Sequence, residues 1–191
     1  MDPNSPSTSH TLLEQLRHPG HSGAWQRFAH LYTPLLRSWA KRRGFQEADA
    51  ADLAQDVLVK LMDALPKYER RPGQSFRGWL HRVTTNQCRD FRRRTATRPM
   101  PGPDGLLSAE ALDAIGEWDE REHRSVLVDR GLDLVRPEFS EQTWTAFHRM
   151  MVQGHAVPAI AADLGVTENA VFHARHRVLT RLRREIGQFL E

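Results

Sequence analysis

The chain has 191 residues, 27 Lys and Arg against 24 Asp and Glu, a formal charge of +3 and one cysteine, Cys88. That length suits one large or two small domains, and a lone cysteine excludes an intrachain disulfide and a CxxC redox or zinc motif. No apolar run approaches the roughly 20 residues of a membrane span and the N-terminus carries no signal-peptide core, so the chain reads as soluble, cytoplasmic and without membrane contact.

Residues 1–9 are rich in Ser, Pro and Thr and read as a disordered tail. Thr11 to Arg17 is a short helix that Pro19-Gly20 stops, so residues 1–21 form a tail and a helical turn. From Ser22 a stronger helix begins, with Trp25, Phe28, Tyr32, Leu35 and Trp39 at core spacing. Pro34 should kink it, and Lys41-Arg42-Arg43-Gly44 closes it with positive charge at the negative end of the dipole.

Asp49 to Leu65 is the next helix. Leu53, Val57, Leu61 and Leu65 face inward; Asp49, Asp52, Gln55, Asp56 and Asp63 lie off that stripe. Pro66 ends it, and Lys67 to Ser75 is a polar loop. Phe76 to Arg94 is a long helix, with Phe76, Leu80 and Val83 inward and Trp79 and Phe91 extending the stripe. Three prolines and two glycines between Arg98 and Gly105 must break it.

Beyond the break a helix runs from Glu117 to Val135, with Trp118, Leu127 and Leu134 at apolar positions. Ser140 caps a helix from Glu141 to Val152, with Trp144, Phe147 and Met151 inward. Val157 to Leu164 then reads as a helix, Gly165 as its left-handed end, and Thr167 as the N-cap of a last helix. On that helix Val171, Ala174, Val178, Leu182, Ile186 and Phe189 share one side. Asn169, His173, His176, Arg177, Thr180, Arg183 and Arg184 share the other, as a recognition helix in a major groove requires. Arg175 falls towards the apolar side and should snorkel out. No stretch alternates with period two. The fold class is therefore all-α, with helical domains at 22–97 and 124–191 joined by a Pro/Gly-rich acidic linker, 98–123.

Charge supports this division. Arg77 to Arg98 holds seven arginines and one acid, Asp90; Pro99 to His123 holds seven acids and one arginine; Val171 to Ile186 holds five arginines and one acid. Basic blocks of this kind suit nucleic acid.

The order of motifs resembles a specific family. Asp52-Leu53-Ala54-Gln55-Asp56-Val57-Leu58 is similar to the D-L-x-Q-E/D-V-F/L helix of sigma region 2. Phe76-Arg77-Gly78-Trp79-Leu80-His81-Arg82-Val83-Thr84-Thr85-Asn86 resembles the F-x-x-W-L-x-R-I/V-x-x-N signature that follows it, and Asp90 to Arg94 its D-x-x-R-R end. The C-terminal helix-turn-helix resembles sigma region 4. Together they cover about residues 24–94 and 124–187, and they resemble an extracytoplasmic-function (ECF) sigma-70 factor.

The resemblance implies that Asp52, Gln55 and Asp56 dock on the β′ clamp helices of core RNA polymerase, where acids would pair with arginines and steer encounter. It implies that the loop beginning at Lys67 captures a flipped base of a promoter −10 element. Asn86 then reads a base edge while Arg89, Arg92, Arg93 and Arg94 hold phosphates. Within the arginine block no single position stands out. For region 4 it implies that Phe172, His173, His176 and Arg177 face −35 duplex DNA, with Asn169 and Arg184 on the same outer face. Phe172-His173-Ala174 departs from the commoner arginine-serine-arginine pattern there. The resemblance also admits an anti-sigma factor as a partner, and it implies neither enzymatic activity nor a cofactor.

Other readings compete with this one; a hydrolase is disfavoured because no nucleophile-elbow or phosphate-loop motif is present. Ten histidines raise a zinc site at His173 and His176 with His148 and His155, but no cysteine or carboxylate cluster completes it, so no metal is expected. A helix-turn-helix regulator with an N-terminal sensor or dimerisation bundle would explain the C-terminal half. It has no use for an asparagine-bearing arginine helix that starts Phe-x-x-Trp.

Overall fold

The structure, a computed structural model, describes residues 11–17, 22–69, 75–95 and 120–190. Among these are eight α-helices and no strand: α1 (Leu12–Arg17), α2 (Ser22–Arg42), α3 (Glu47–Ala64), α4 (Phe76–Thr95), α5 (Glu120–Val135), α6 (Glu141–Met151), α7 (Val157–Leu164) and α8 (Glu168–Leu190), with 3₁₀ turns at Leu65–Lys67 and Arg136–Glu138. The expected all-α class holds. The N-terminal tail, Pro19-Gly20, most of the 67–75 loop, and the 98–123 linker as far as residue 119, Trp118 included, lie outside the described residues. The chain divides into two compact units, one of residues up to Leu127 with the last three residues, the other Val128–Gln188.

In the first unit α2 is the central element. Phe28, Leu31, Tyr32, Leu35, Leu36 and Trp39 are all buried, and full burial of such side chains contributes about 1.5–3 kcal/mol each. The helix runs through Pro34, which removes one backbone donor, while the Thr33 hydroxyl donates to the Ala29 carbonyl at 2.7 Å. Against α2 lies the α3 stripe of Leu53, Val57 and Leu61, continued by Leu65, all fully buried as their spacing predicts. An aromatic cluster completes the core. Phe28 stacks on Tyr32 with centroids 4.6 Å apart, and Phe76 meets both rings edge-on.

Two inward faces differ from expectation. On α4 the buried residues after Phe76 and Leu80 are Thr84, Thr85 and Cys88, whereas Val83, Trp79 and Phe91 are only half-buried. Thr84 is accommodated because its hydroxyl donates to the Leu80 carbonyl at 2.9 Å, which satisfies a buried polar group within its own helix. Arg43 does not simply lend charge to a helix end. It is buried, donating to the Trp39 carbonyl at 3.4 Å and the Thr85 hydroxyl at 3.4 Å, with His81 Nε2 3.0 Å away. It thereby ties the end of α2 to α4.

The first turns of α5 belong to the same unit. Glu122 accepts from Ser38 at 3.1 Å and pairs with Arg42, and His123 stacks on Trp39 with centroids 6.1 Å apart. Burial, then the positive charges of Arg77 and Arg124, lower the His123 pKa to about 4.

In the second unit Ser140 caps α6, accepting from the Thr143 amide at 3.3 Å. Phe147 is buried and Trp144 half-buried, but Met151, expected inward, is exposed because the helix ends there. Ala146, Ile160, Ala161, Val171 and Ala174 form the core that joins α6, α7 and α8. Gly165 ends α7 at φ 63°, a left-handed conformation that glycine adopts without a Cβ penalty. The Thr167 hydroxyl accepts from the Ala170 amide at 3.2 Å and fixes the start of α8.

Candidate polymerase and nucleic-acid interfaces

On α3, Asp52 and Gln55 are exposed and Asp56 is half-buried, all off the Leu53–Val57–Leu61 stripe. Val59 and Met62 are exposed beside them, 64% and 54%, so this face mixes acids with uncovered apolar surface. A groove of about 510 Å³ runs between α3 and α4, lined by Asp56, Val59, Lys60, Asp63, Gln87, Asp90, Arg93 and Arg94. Asp56 accepts from Arg94 across it at 2.7 Å. The acidic helix and the basic helix end, read separately in the sequence, meet at that pair.

On α4 the exposed stripe is Arg82, Asn86, Arg89 and Arg93. Steps of four, three and four residues keep these side chains within about 60° of one another at 100° per residue. Arg82 was legible only as a motif letter, and its helical spacing from Asn86 is the signal that places it here. Arg93 pairs with Asp90, and Arg94 lies 5.7 Å over the Phe91 ring.

Arg92 differs from its neighbours and corrects the uniform reading of that block. It points back to the protein, donating to the Arg43 carbonyl at 2.6 Å and lying 5.0 Å over the Phe45 ring. Burial lowers its pKa. Its position about 100° round the helix from Arg93 puts it near the inward face.

Lys67 is exposed at the end of the 3₁₀ turn. The two ends of the loop that follows it are anchored. Tyr68 is buried with its ring 5.4 Å from Phe76 and 4.7 Å from Trp79, and its carbonyl accepts from Arg17 at 2.7 Å. Ser75 accepts from the Gly78 amide at 3.1 Å at the start of α4. The Phe-x-x-Trp start of α4 thus packs onto the residue that opens the loop.

On α8 the residues expected to face DNA, Asn169, Phe172, His173, His176, Arg177 and Arg184, are all exposed, as is Arg175. The predicted inner residues Val171, Ala174, Val178, Leu182, Ile186 and Phe189 are all buried. Arg177 sits on the flank of the outer face and donates to the Thr143 hydroxyl at 3.1 Å. Arg181 has another task, pairing with Glu138 at 2.7 Å and with the buried Glu185 at 2.8 Å. Burial pulls its pKa down, but the bonds to Glu138 and Glu185 and their charges raise it overall. Among the described residues no group of three or more metal-ligating side chains comes together, and no helix is long and apolar enough to cross a membrane.

An all-α unit with an acid-bearing helix crossed by an arginine–asparagine helix defines a class that comparison with known proteins makes specific. Residues 28–98 match the model of sigma-70 region 2. The chain is 26% identical over 185 residues to the ECF RNA polymerase sigma factor SigE of Mycolicibacterium smegmatis, covering 96% of this chain and 69% of that protein. It is 24% identical over 172 residues to the RNA polymerase sigma factor CnrH of Cupriavidus metallidurans, covering 87% and 88%. It is 30% identical over 141 residues to the ECF RNA polymerase sigma factor SigD of Mycobacterium tuberculosis, covering 72% and 63%. The chain belongs to the ECF sigma-70 family. It is an RNA polymerase sigma factor and directs promoter-specific transcription.

Proposed function

We propose a division of that work among the helices. Residues 22–97 act as sigma region 2, 98–123 as the connecting linker, and 124–191 as sigma region 4. Asp52, Gln55 and Asp56 on α3 meet basic groups of the polymerase β′ clamp helices, and exposed Val59 and Met62 add apolar contact beside them. The acids steer the encounter and the apolar side chains lengthen its lifetime. The polymerase supplies the catalysis; this chain supplies position.

The −10 element is read on α4. The observation that carries this reading is the single exposed stripe of Arg82, Asn86, Arg89 and Arg93, in which one amide stands among cations. Arginines hold phosphates without regard to sequence, whereas an amide can pair with a base edge. Lys67 and the loop whose ends Tyr68 and Ser75 anchor hold a base out of the stack. The −35 element is read as duplex by α8, with His173 and Arg177 towards base edges, Asn169 and His176 beside them on the outer face, and Arg184 on phosphates. A region 4 partner such as an anti-sigma factor would compete for these same surfaces.

The test uses the chain bound to its own host's core polymerase and a fork-junction promoter whose −10 strand is single. Asn86→Ala should weaken binding to the preferred −10 strand and leave a strand altered at one base unaffected. Arg89→Ala should weaken both equally. Equal loss for Asn86→Ala on both strands would overturn the assignment of base reading to α4.

A further inference from the structure

The recognition helix carries a feature that phosphate and hydrogen-bond chemistry does not use. Phe172 is 47% exposed in the first turns of α8, the part of a recognition helix that reaches base edges. It lies one turn from Asn169 and one turn from His176, on the exposed face, while its neighbour Val171 is fully buried. Among the described residues no other ring contacts it. The folded unit therefore does not need this ring for its core, which Ala146, Ile160, Ala161, Val171 and Ala174 already fill.

What covers the ring is decided by its surroundings. Arg175, Arg177, Arg183 and Arg184 are exposed along the same helix and Asn169, His173 and His176 flank the ring, with Glu168 the one acid among the exposed residues from 167 to 184. That charge suits a polyanion, and the polar neighbours suit base edges. An apolar protein groove would instead leave these cations to be desolvated. In a major groove the apolar group offered to a side chain is the C5-methyl of thymine, and phenylalanine is a side chain that takes it.

We infer that Phe172 reads a thymine methyl group in the upstream promoter element, so that this factor requires an A·T pair opposite the first turns of α8. The inference rests on the reading of α7 and α8 as the −35 duplex reader. It assigns to the Phe172-His173-Ala174 departure a change of base preference: an apolar contact stands where the commoner pattern offers an arginine.

The experiment changes the DNA rather than the fold. Full-length chain bound to core polymerase selects duplexes from a pool randomised across the upstream element. Each thymine of the selected duplex is then replaced singly by uracil, which removes only the methyl. One position should lose about fourfold in affinity, the worth of one buried methyl group. Phe172→Ala should bind the thymine and uracil duplexes equally, and Phe172→Leu should keep most of the discrimination. Uracil tolerated at every position, a selected element without thymine, or a uracil penalty that survives in Phe172→Ala would each overturn the inference while sequence-specific selection still supports the duplex reader. If Phe172→Ala weakens core binding and leaves DNA selection unchanged, the ring meets protein and the inference is wrong. Absence of any sequence preference upstream would refute the duplex reading itself, and the inference with it.

Discussion

Arg181→Ala should destabilise the helix-turn-helix unit selectively. Arg181 holds both oxygens of Glu138 through Nε and Nη2, each at 2.7 Å, and Glu185 Oε2 through Nη1 at 2.8 Å. The Glu138 side chain is 46% exposed, so water replaces the lost cation there and the loss is at most about 1 kcal/mol. The Glu185 side chain is 3% exposed. Losing the Arg181 cation removes a charge partner from this buried carboxylate, which costs about 3–5 kcal/mol when the pair is fully enclosed. Arg181 itself is 22% exposed, so some water enters and a total near 3 kcal/mol is expected. A unit the size of Val128–Gln188 has only about 3–9 kcal/mol in hand. Hydrogen exchange on the full chain, read on peptides of α8, should show protection falling by about 100-fold or more. Arg181→Met with Glu185→Leu should recover most of it, because the buried charge has gone as well. Unchanged α8 protection in Arg181→Ala, or a double variant as labile as the single one, would refute this view of the pair.

Three further outcomes are expected. His123, with its pKa lowered to about 4, is neutral when folded, whereas the unfolded chain binds its proton below about pH 6.5. The stability it holds above pH 6.5 should therefore be lost as pH falls towards 4, by up to about 3 kcal/mol in urea unfolding, and His123→Phe should flatten that slope. Asp52→Lys should slow association with core polymerase about tenfold at low salt, and less at high salt, with helicity unchanged; Asp56→Lys should do the same and also break the pair with Arg94. Arg92→Ala should lower the stability of the first unit by about 1–2 kcal/mol, whereas Arg93→Ala should leave stability alone and reduce the salt slope of DNA binding by about one unit in binding assays across salt concentrations.

Periodicity exposed much of this architecture because strong apolar stripes leave little choice of face. The inner residues of α3 and α8 fall where 3.6-residue spacing puts them, and the Thr167 cap and Gly165 stop follow from local chemistry alone. The α4 helix was harder, since its core side is built from Thr84, Thr85 and Cys88 and its polar residues can bury by bonding within the helix. Arg92 and Arg181 look like their neighbours in a basic run. Only the three-dimensional placement of Arg43, Phe45, Glu138 and Glu185 takes these two arginines back into the fold. His123 reads as one residue in an acidic stretch, and nothing local indicates that Trp39 and Tyr32 receive it. Candidate DNA contacts are legible where exposure follows from helical phase, as at Asn86 and His173, and Arg82 shares the phase of Asn86 on α4.

The most direct measurement is transcription by the host's core polymerase, with and without this chain, on a promoter selected by the complex. Transcripts should appear only when the chain is added, start at a fixed distance from both selected elements, and disappear when Asp52 and Asp56 are both replaced by lysine. A chain that binds the same DNA alone, fails to bind core polymerase and starts no transcript would contradict the account.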